Sequence, residues 1–202
     1  MSSILVGFVS TCVETERIGG YVARLAHGRR LGTRTVDLAR AHGADPSDYG
    51  ATIIVAPVYF GHHSRAVARF MRSHAGILST RPTAFVSVSK AAASGTPAAR
   101  ANAEQIARDF VSRTRVCGCL VTTVGGAVAH GPYAALARVI VSLKPSRLNG
   151  HLDTVEGTDF TDLAAMESEL APFFGPLERR KPSRAQARSR VFVDRPGVQL
   201  IL

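Results

Sequence analysis

Tryptophan is absent from the 202-residue chain, and aromatic residues make up only 6% of it. Cysteine is almost as scarce. Cys12, Cys117 and Cys119 are an odd number, so reduced thiols and a cytoplasmic setting are expected rather than a disulfide framework. Long apolar runs are missing too. The longest, residues 52–58 and 116–124, fall far short of the ~20 residues a bilayer-spanning helix needs. No basic leader precedes Ile4, Leu5 and Val6, which read as a first core strand and not as a signal peptide. Acidic residues are the last shortage: 15 Asp and Glu face 25 Lys and Arg, a formal net charge of +10. Half of the excess lies in residues 176–202, where Arg179, Arg180, Lys181, Arg184, Arg188, Arg190 and Arg195 meet only Glu178 and Asp194. Such a tail is a solvated terminus or a contact for an anionic membrane surface; nucleic acid is not expected as a partner.

What is present is a core. With 46% hydrophobic and 20% charged residues, the chain fits one globular domain. Short apolar runs rich in β-branched residues alternate with amphipathic stretches of helical length, the pattern of βαβ units. Strands are predicted at 4–9, 33–38, 52–56, 83–88 and 116–124, and helices at 14–27, 64–77, 97–112 and 161–174. Pro97 suits the first turn of the third helix, and Pro172 is expected near the end of the last. The predicted fold class is α/β, a doubly wound five-stranded parallel sheet with helices on both faces. Residues 125–160 are too long for an ordinary connection and read as a functional insertion; 1–175 form the domain, and 176–202 the basic tail.

In open α/β sheets ligands bind beyond the carboxyl ends of the strands. After the first strand, Ser10-Thr11-Cys12-Val13-Glu14-Thr15 places three hydroxyls at a helix N-terminus, suited either to a phosphate monoester or simply to an N-cap. After the third, Pro57-Val58-Tyr59-Phe60-Gly61-His62-His63 offers two aromatics and a glycine to a planar heterocycle. His62 and His63 are adjacent, without a supporting ligand set, so no metal site is expected. Residues 89–96, rich in Ala, Ser and Gly, read as a loop that presents backbone amides. Cys12 and Arg17 are one residue too close for a phosphatase signature. Cys117 and Cys119 alternate on the fifth predicted strand and read as packing groups. No Ser-His-Asp system or carboxylate pair stands out, and no catalytic side chain is assigned.

Together these loops resemble the flavodoxin-like flavoproteins, whose first loop reads Ser/Thr-x-Thr-Gly-x-Thr; Ser10 to Thr15 keep that spacing, with Cys12 and Val13 standing where a hydroxyl and a glycine are preferred. Val13 thus brings a branched Cβ to a place where backbone must approach an anion. Within that superfamily the chain is similar to the menaquinone-dependent protoporphyrinogen dehydrogenase group. The matching pieces are Ala56-Pro57-Val58-Tyr59-Phe60-Gly61-His62-His63, residues 70–74, Pro82-Thr83-Ala84-Phe85-Val86-Ser87-Val88, and, in the long segment, Gly150-His151-Leu152-Asp153-Thr154 and Thr158-Asp159-Phe160.

The resemblance implies an FMN cofactor that carries the redox chemistry itself. It would assign the phosphate to Ser10, Thr11 and Thr15 with the amides of Val13 and Glu14, and to the Cys12 position between them. The ring would stack on Tyr59 or Phe60 beside Val58, with Gly61, Ser89, Lys90 and Ala91 along its edge and Gly125 and Gly126 closing the opposite side. It implies electron transfer from a porphyrinogen or other small reduced substrate to a quinone, as in haem biosynthesis, with the insertion or the tail meeting the inner membrane face. A flavodoxin-type electron carrier, and a flavin-free fold used as a binding module, are the alternatives. Carriers of that type are usually acidic, unlike this chain.

Overall fold

The computed structural model describes residues 3–9, 13–40, 44–94, 96–125 and 163–179. The insertion beyond Gly125, and all of the basic tail beyond Arg179, lie outside the described residues.

The alternation of apolar strands and amphipathic helices gives the expected parallel sheet. Strands β1 (Ser3–Phe8), β2 (Gly32–Asp37), β3 (Ala51–Tyr59), β5 (Thr83–Ser89) and β6 (Leu120–Gly125) lie in the order β2-β1-β3-β5-β6. All four neighbouring pairs are parallel. A sixth, two-residue strand, β4 (His62–His63), pairs antiparallel with the end of β3. β3 and β5 are the most buried strands because helices cover both of their faces; Ala51 to Pro57 and Thr83 to Ser89 are all buried.

Helix α1 (Val13–Gly28) and helix α6 (Leu163–Arg179) cover one face. There Ile18, Val22, Met166, Leu170 and Phe174 close over Ile4, Val6, Ile53 and Val55. Arg29 follows α1, lies 3.1 Å from Glu167 and 3.3 Å from Glu178, and sits over the Phe174 ring, tying the two helices together. The opposite face carries α2 (Arg65–Ser73), α3 (Ala75–Thr80) and α5 (Pro97–Ser112). Val67, Met71, Leu78, Ala107 and Val111 pack there on Ile54 and Phe85.

Four expectations are corrected. The helix expected over 64–77 is two helices, broken at His74 (φ −113°, ψ 17°). Ser73 Oγ donates to the carbonyls of Arg69 and Phe70, and His74 Nδ1 donates to the latter. These side chains compete with the helical ladder where it should continue.

The last helix does not end near Pro172. It runs through Pro172 and Pro176, both exposed, to Arg179. Burial of Phe173, Phe174 and Leu177, at about 1.5–3 kcal/mol each, is of the size needed to offset about 3 kcal/mol per proline.

The fifth strand of the expected set begins at Leu120, not at 116. Arg115 (φ 63°) and Gly118 (φ 68°) adopt left-handed backbone that interrupts any strand before it. Cys117 is consequently exposed in the loop while Cys119 is half-buried, so the two do not share a strand face. Burial pushes the Cys119 thiol up to about 12. Alkylation at neutral pH, mapped by peptide mass, is expected to modify Cys117 at least about 100-fold faster than Cys119, since only the thiolate reacts. Equal labelling would refute that burial.

Candidate functional site

Because the strands are parallel, their carboxyl ends share one edge of the sheet. Val58 and Tyr59 at the end of β3 with Phe60 and Gly61 beyond it, Ser89 at the end of β5 with Lys90 and Ala91 beyond it, and Gly125 at the end of β6 all lie along it. So does the start of α1, which follows β1. The fold thus gathers Val13, Glu14 and Thr15 with the residues expected around a ring. Ser10, Thr11, Cys12 and Gly126 lie outside the described residues. β1 connects through α1 on one face, and β3 through α2 on the other, so the strand order reverses between β1 and β3. This is the switch point at which open α/β sheets form their ligand crevice.

Val13 is the first residue of α1. Its backbone is helical, so the conformational freedom of a glycine is not required there. The first-turn amides of a helix have no intrahelical acceptor and carry the positive end of its dipole. Thr15, in that turn, is fully buried.

The segment expected as a loop after β3 is instead ordered on both sides of a tight turn. β3 continues to Tyr59, two residues turn the chain, and β4 pairs back in the register Val58–His63 and Tyr59–His62. Both turn residues have positive φ, Phe60 at 51° and Gly61 at 77°. That is the signature of a type I′ hairpin, whose first position favours Asn and whose second favours Gly. Phenylalanine at the first position is strained by about 1–2 kcal/mol, and its side chain is also 70% exposed. Backbone strain and apolar exposure at one residue serve no folding purpose.

His63 anchors the hairpin from below. Its Nδ1 lies 3.1 Å from Pro57 O and its Nε2 3.4 Å from the buried Ser87 Oγ. A carbonyl only accepts, so Nδ1 carries the proton; in the neutral ring Nε2 then accepts from the Ser87 hydroxyl. The ring stands edge-on to Phe85 (centroids 5.0 Å apart) and 4.6 Å from Phe110. Burial lowers its pKa from 6.5 to about 4, against the opposing effect of the Pro57 carbonyl and with a smaller contribution from His62. His62 itself is exposed. Sequence reasoning weighed His63 only as a metal ligand. The signal it passed over is Ser87, a hydroxyl facing inward from an apolar strand.

Residues 89–96, expected as a loop, begin with the end of β5 and the short helix α4 (Lys90–Ala93). Ser89 caps it, accepting from Ala92 N at 3.1 Å. The cap commits the Ser89 hydroxyl to the protein, leaving Lys90 and Ala91 to face the edge through a first helical turn.

A cavity of about 220 Å³ lies elsewhere, along β6 between α5 and α6, where Glu104, Arg108 and Glu169 surround Thr122. The Thr122 hydroxyl is the one buried side-chain polar atom without a hydrogen-bond partner among the described residues. None of the expected site residues lines this cavity.

Comparison with known proteins agrees with the topology. The model of the Flavodoxin domain family matches residues 5–153. A protein named protoporphyrinogen IX dehydrogenase [quinone] from Leishmania major is 26% identical over 95% of this chain and 81% of its own length. One of the same name from Escherichia coli K12 is 28% identical over 83% of this chain and 93% of its own. Among solved structures, a Streptococcus pneumonia TIGR4 flavodoxin aligns with a TM-score of 0.44 at 19% identity, covering 60% of this chain and 84% of that one. On the family match and the strand order, the chain belongs to the Flavodoxin domain family, a family of flavin oxidoreductases.

Proposed function

We propose that this protein is an FMN-dependent oxidoreductase of the protoporphyrinogen dehydrogenase type, passing electrons from a porphyrinogen or a similar reduced substrate to a quinone. The observation that carries the flavin part is the hairpin: a strained, exposed Phe60 beside the β1/β3 switch point. Strain held in place by surrounding structure is a mark of a functional site. An aromatic face on one side of the crevice and the α1 N-terminus on the other fit a planar ring that carries a phosphate. The names of the two relatives support the substrate class.

In this reading FMN supplies the redox chemistry, and the chain's residues hold and shield it. The amides of Val13, Glu14 and Thr15, with Ser10, Thr11 and the Cys12 position, hold the phosphate. Phe60 or Tyr59 covers the ring, Val58 flanks it, and Gly61, Lys90, Ala91 and the backbone of Ser89 line its edge, with Gly125 and Gly126 opposite. No helix among the described residues is long and apolar enough to cross a membrane. In this reading a quinone is met at a membrane surface, through residues 125–160 or the basic tail.

The test is a substitution with two opposite effects. Phe60→Asn places the residue a type I′ turn prefers, and is expected to stabilise the flavin-free protein by about 1 kcal/mol. It is also expected to weaken FMN binding about 10-fold, because ring stacking of this kind contributes about 1–3 kcal/mol. Urea unfolding and quenching of FMN fluorescence read the two separately. A wild-type protein that stays colourless after FMN addition and desalting would exclude the flavin; flavin binding without turnover of porphyrinogen and quinone would leave a carrier.

A further inference from the structure

We infer that His63 is a positioning residue for flavin, holding the Tyr59–His62 hairpin in its binding geometry through Pro57 and Ser87 without touching the ring itself. This rests on the flavin reading above and goes beyond it to a residue that does not line the crevice.

The hairpin has little else to hold it. Its tip is exposed at Phe60, Gly61 and His62, and nothing within 4 Å of Gly61 would obstruct an added Cβ. Its ladder with β3 consists of two residue pairs, and a two-stranded hairpin alone is marginally stable in water. His63 adds ties in three directions. Its Nδ1 donates to Pro57 in β3, its Nε2 meets Ser87 in β5, and its ring wedges between Phe85 of β5 and Phe110 of α5. The first tie crosses the base of the turn that presents Phe60. The second fixes the hairpin to the neighbouring strand. Both ring nitrogens are engaged within the protein.

The wedge and the hydrogen bonds are separable by substitution. His63→Phe keeps an aromatic ring between Phe85 and Phe110 but removes both hydrogen bonds. His63→Asn puts an amide nitrogen near the place of Nδ1, restoring the tie to Pro57 while losing ring packing. If His63 positions the loop, His63→Phe folds with wild-type circular dichroism, yet its Tyr59–His62 amides exchange with solvent about 10-fold faster in the flavin-free state. Its Kd for FMN rises about 10-fold, and His63→Asn returns the Kd to within about threefold of wild type despite being less stable. That order is the reverse of what a purely structural role gives, where the better-packed variant binds better. Histidine 15N NMR of the wild type at pH 7 is expected to show the neutral Nδ1–H tautomer.

Wild-type protein that binds FMN while His63→Phe binds it equally well, with unchanged amide exchange, would overturn the positioning role and leave the flavin reading intact. An Nε2–H tautomer would overturn it as well. Wild-type protein that binds no FMN would overturn the flavin reading, and this inference with it.

Discussion

Phe85→Ala is expected to lower the free energy of unfolding by about 3–5 kcal/mol, the range for truncating a fully buried aromatic side chain. Phe85 is 0% exposed on central strand β5, and its ring stacks at 5.2 Å on Phe110 as well as meeting His63 edge-on. The void would open on a face where β5 is held between β3 and β6 by parallel ladders, so the backbone cannot collapse to fill it. With single domains stable by only about 5–15 kcal/mol, the variant would retain a narrow margin. Phe110→Ala, at a half-buried helix position, is expected to cost less, about 1–3 kcal/mol. Urea titrations of the two variants against wild type, at constant m, decide the matter. A loss below about 1 kcal/mol for Phe85→Ala would mean that the aromatic cluster is not the packed unit its geometry describes. The variant also bears on the site: His63 loses the ring that braces it, so FMN affinity is expected to fall although Phe85 lies in the core.

The sheet was legible in the sequence because short runs rich in apolar and β-branched residues alternate with amphipathic stretches of helical length. Ile4, Ile53 and Phe85, with Ile18, Val22 and Met166, fell where the 2.0 and 3.6 periods place them. What was illegible depended on contacts between distant residues or on backbone conformations that no period encodes. Pro172 reads as a terminus until Phe173, Phe174 and Leu177 are seen buried beyond it. The break at His74 arises from hydrogen bonds by Ser73 and His74 to the preceding turn, which apolar spacing does not register. At the candidate site, residues 57–63 read as a loop suited to a planar ring, but Phe-Gly is an uncommon pair for a type I′ turn and did not announce a hairpin. His63 escaped for a related reason. Its partners, Pro57 across the turn and Ser87 on the next strand, are joined to it only by folding.

That burial gives His63 a second, larger signature, in the pH dependence of stability. In the unfolded chain the imidazole takes up a proton near its ordinary value of 6.5, whereas in the folded protein burial holds it neutral until about pH 4. Between those values the unfolded state binds more protons, so stability falls as pH falls; above about pH 7 both states are neutral and the effect vanishes. At 1.36 kcal/mol per pKa unit, the interval amounts to about 3 kcal/mol lost between pH 7 and pH 4. Asp45 works in the same direction but elsewhere. Hydrogen bonds from Ser47 hold its carboxyl below 3.8, so its stabilisation is present above that value and is lost only in stronger acid. The windows therefore separate, and His63→Phe isolates the first of them. The stability of wild type relative to His63→Phe is expected to fall by about 3 kcal/mol as pH is lowered from 7 to 4, because the variant has no proton to take up at this position. Parallel curves would show that the ring is solvated in the folded protein and does not anchor the hairpin from within.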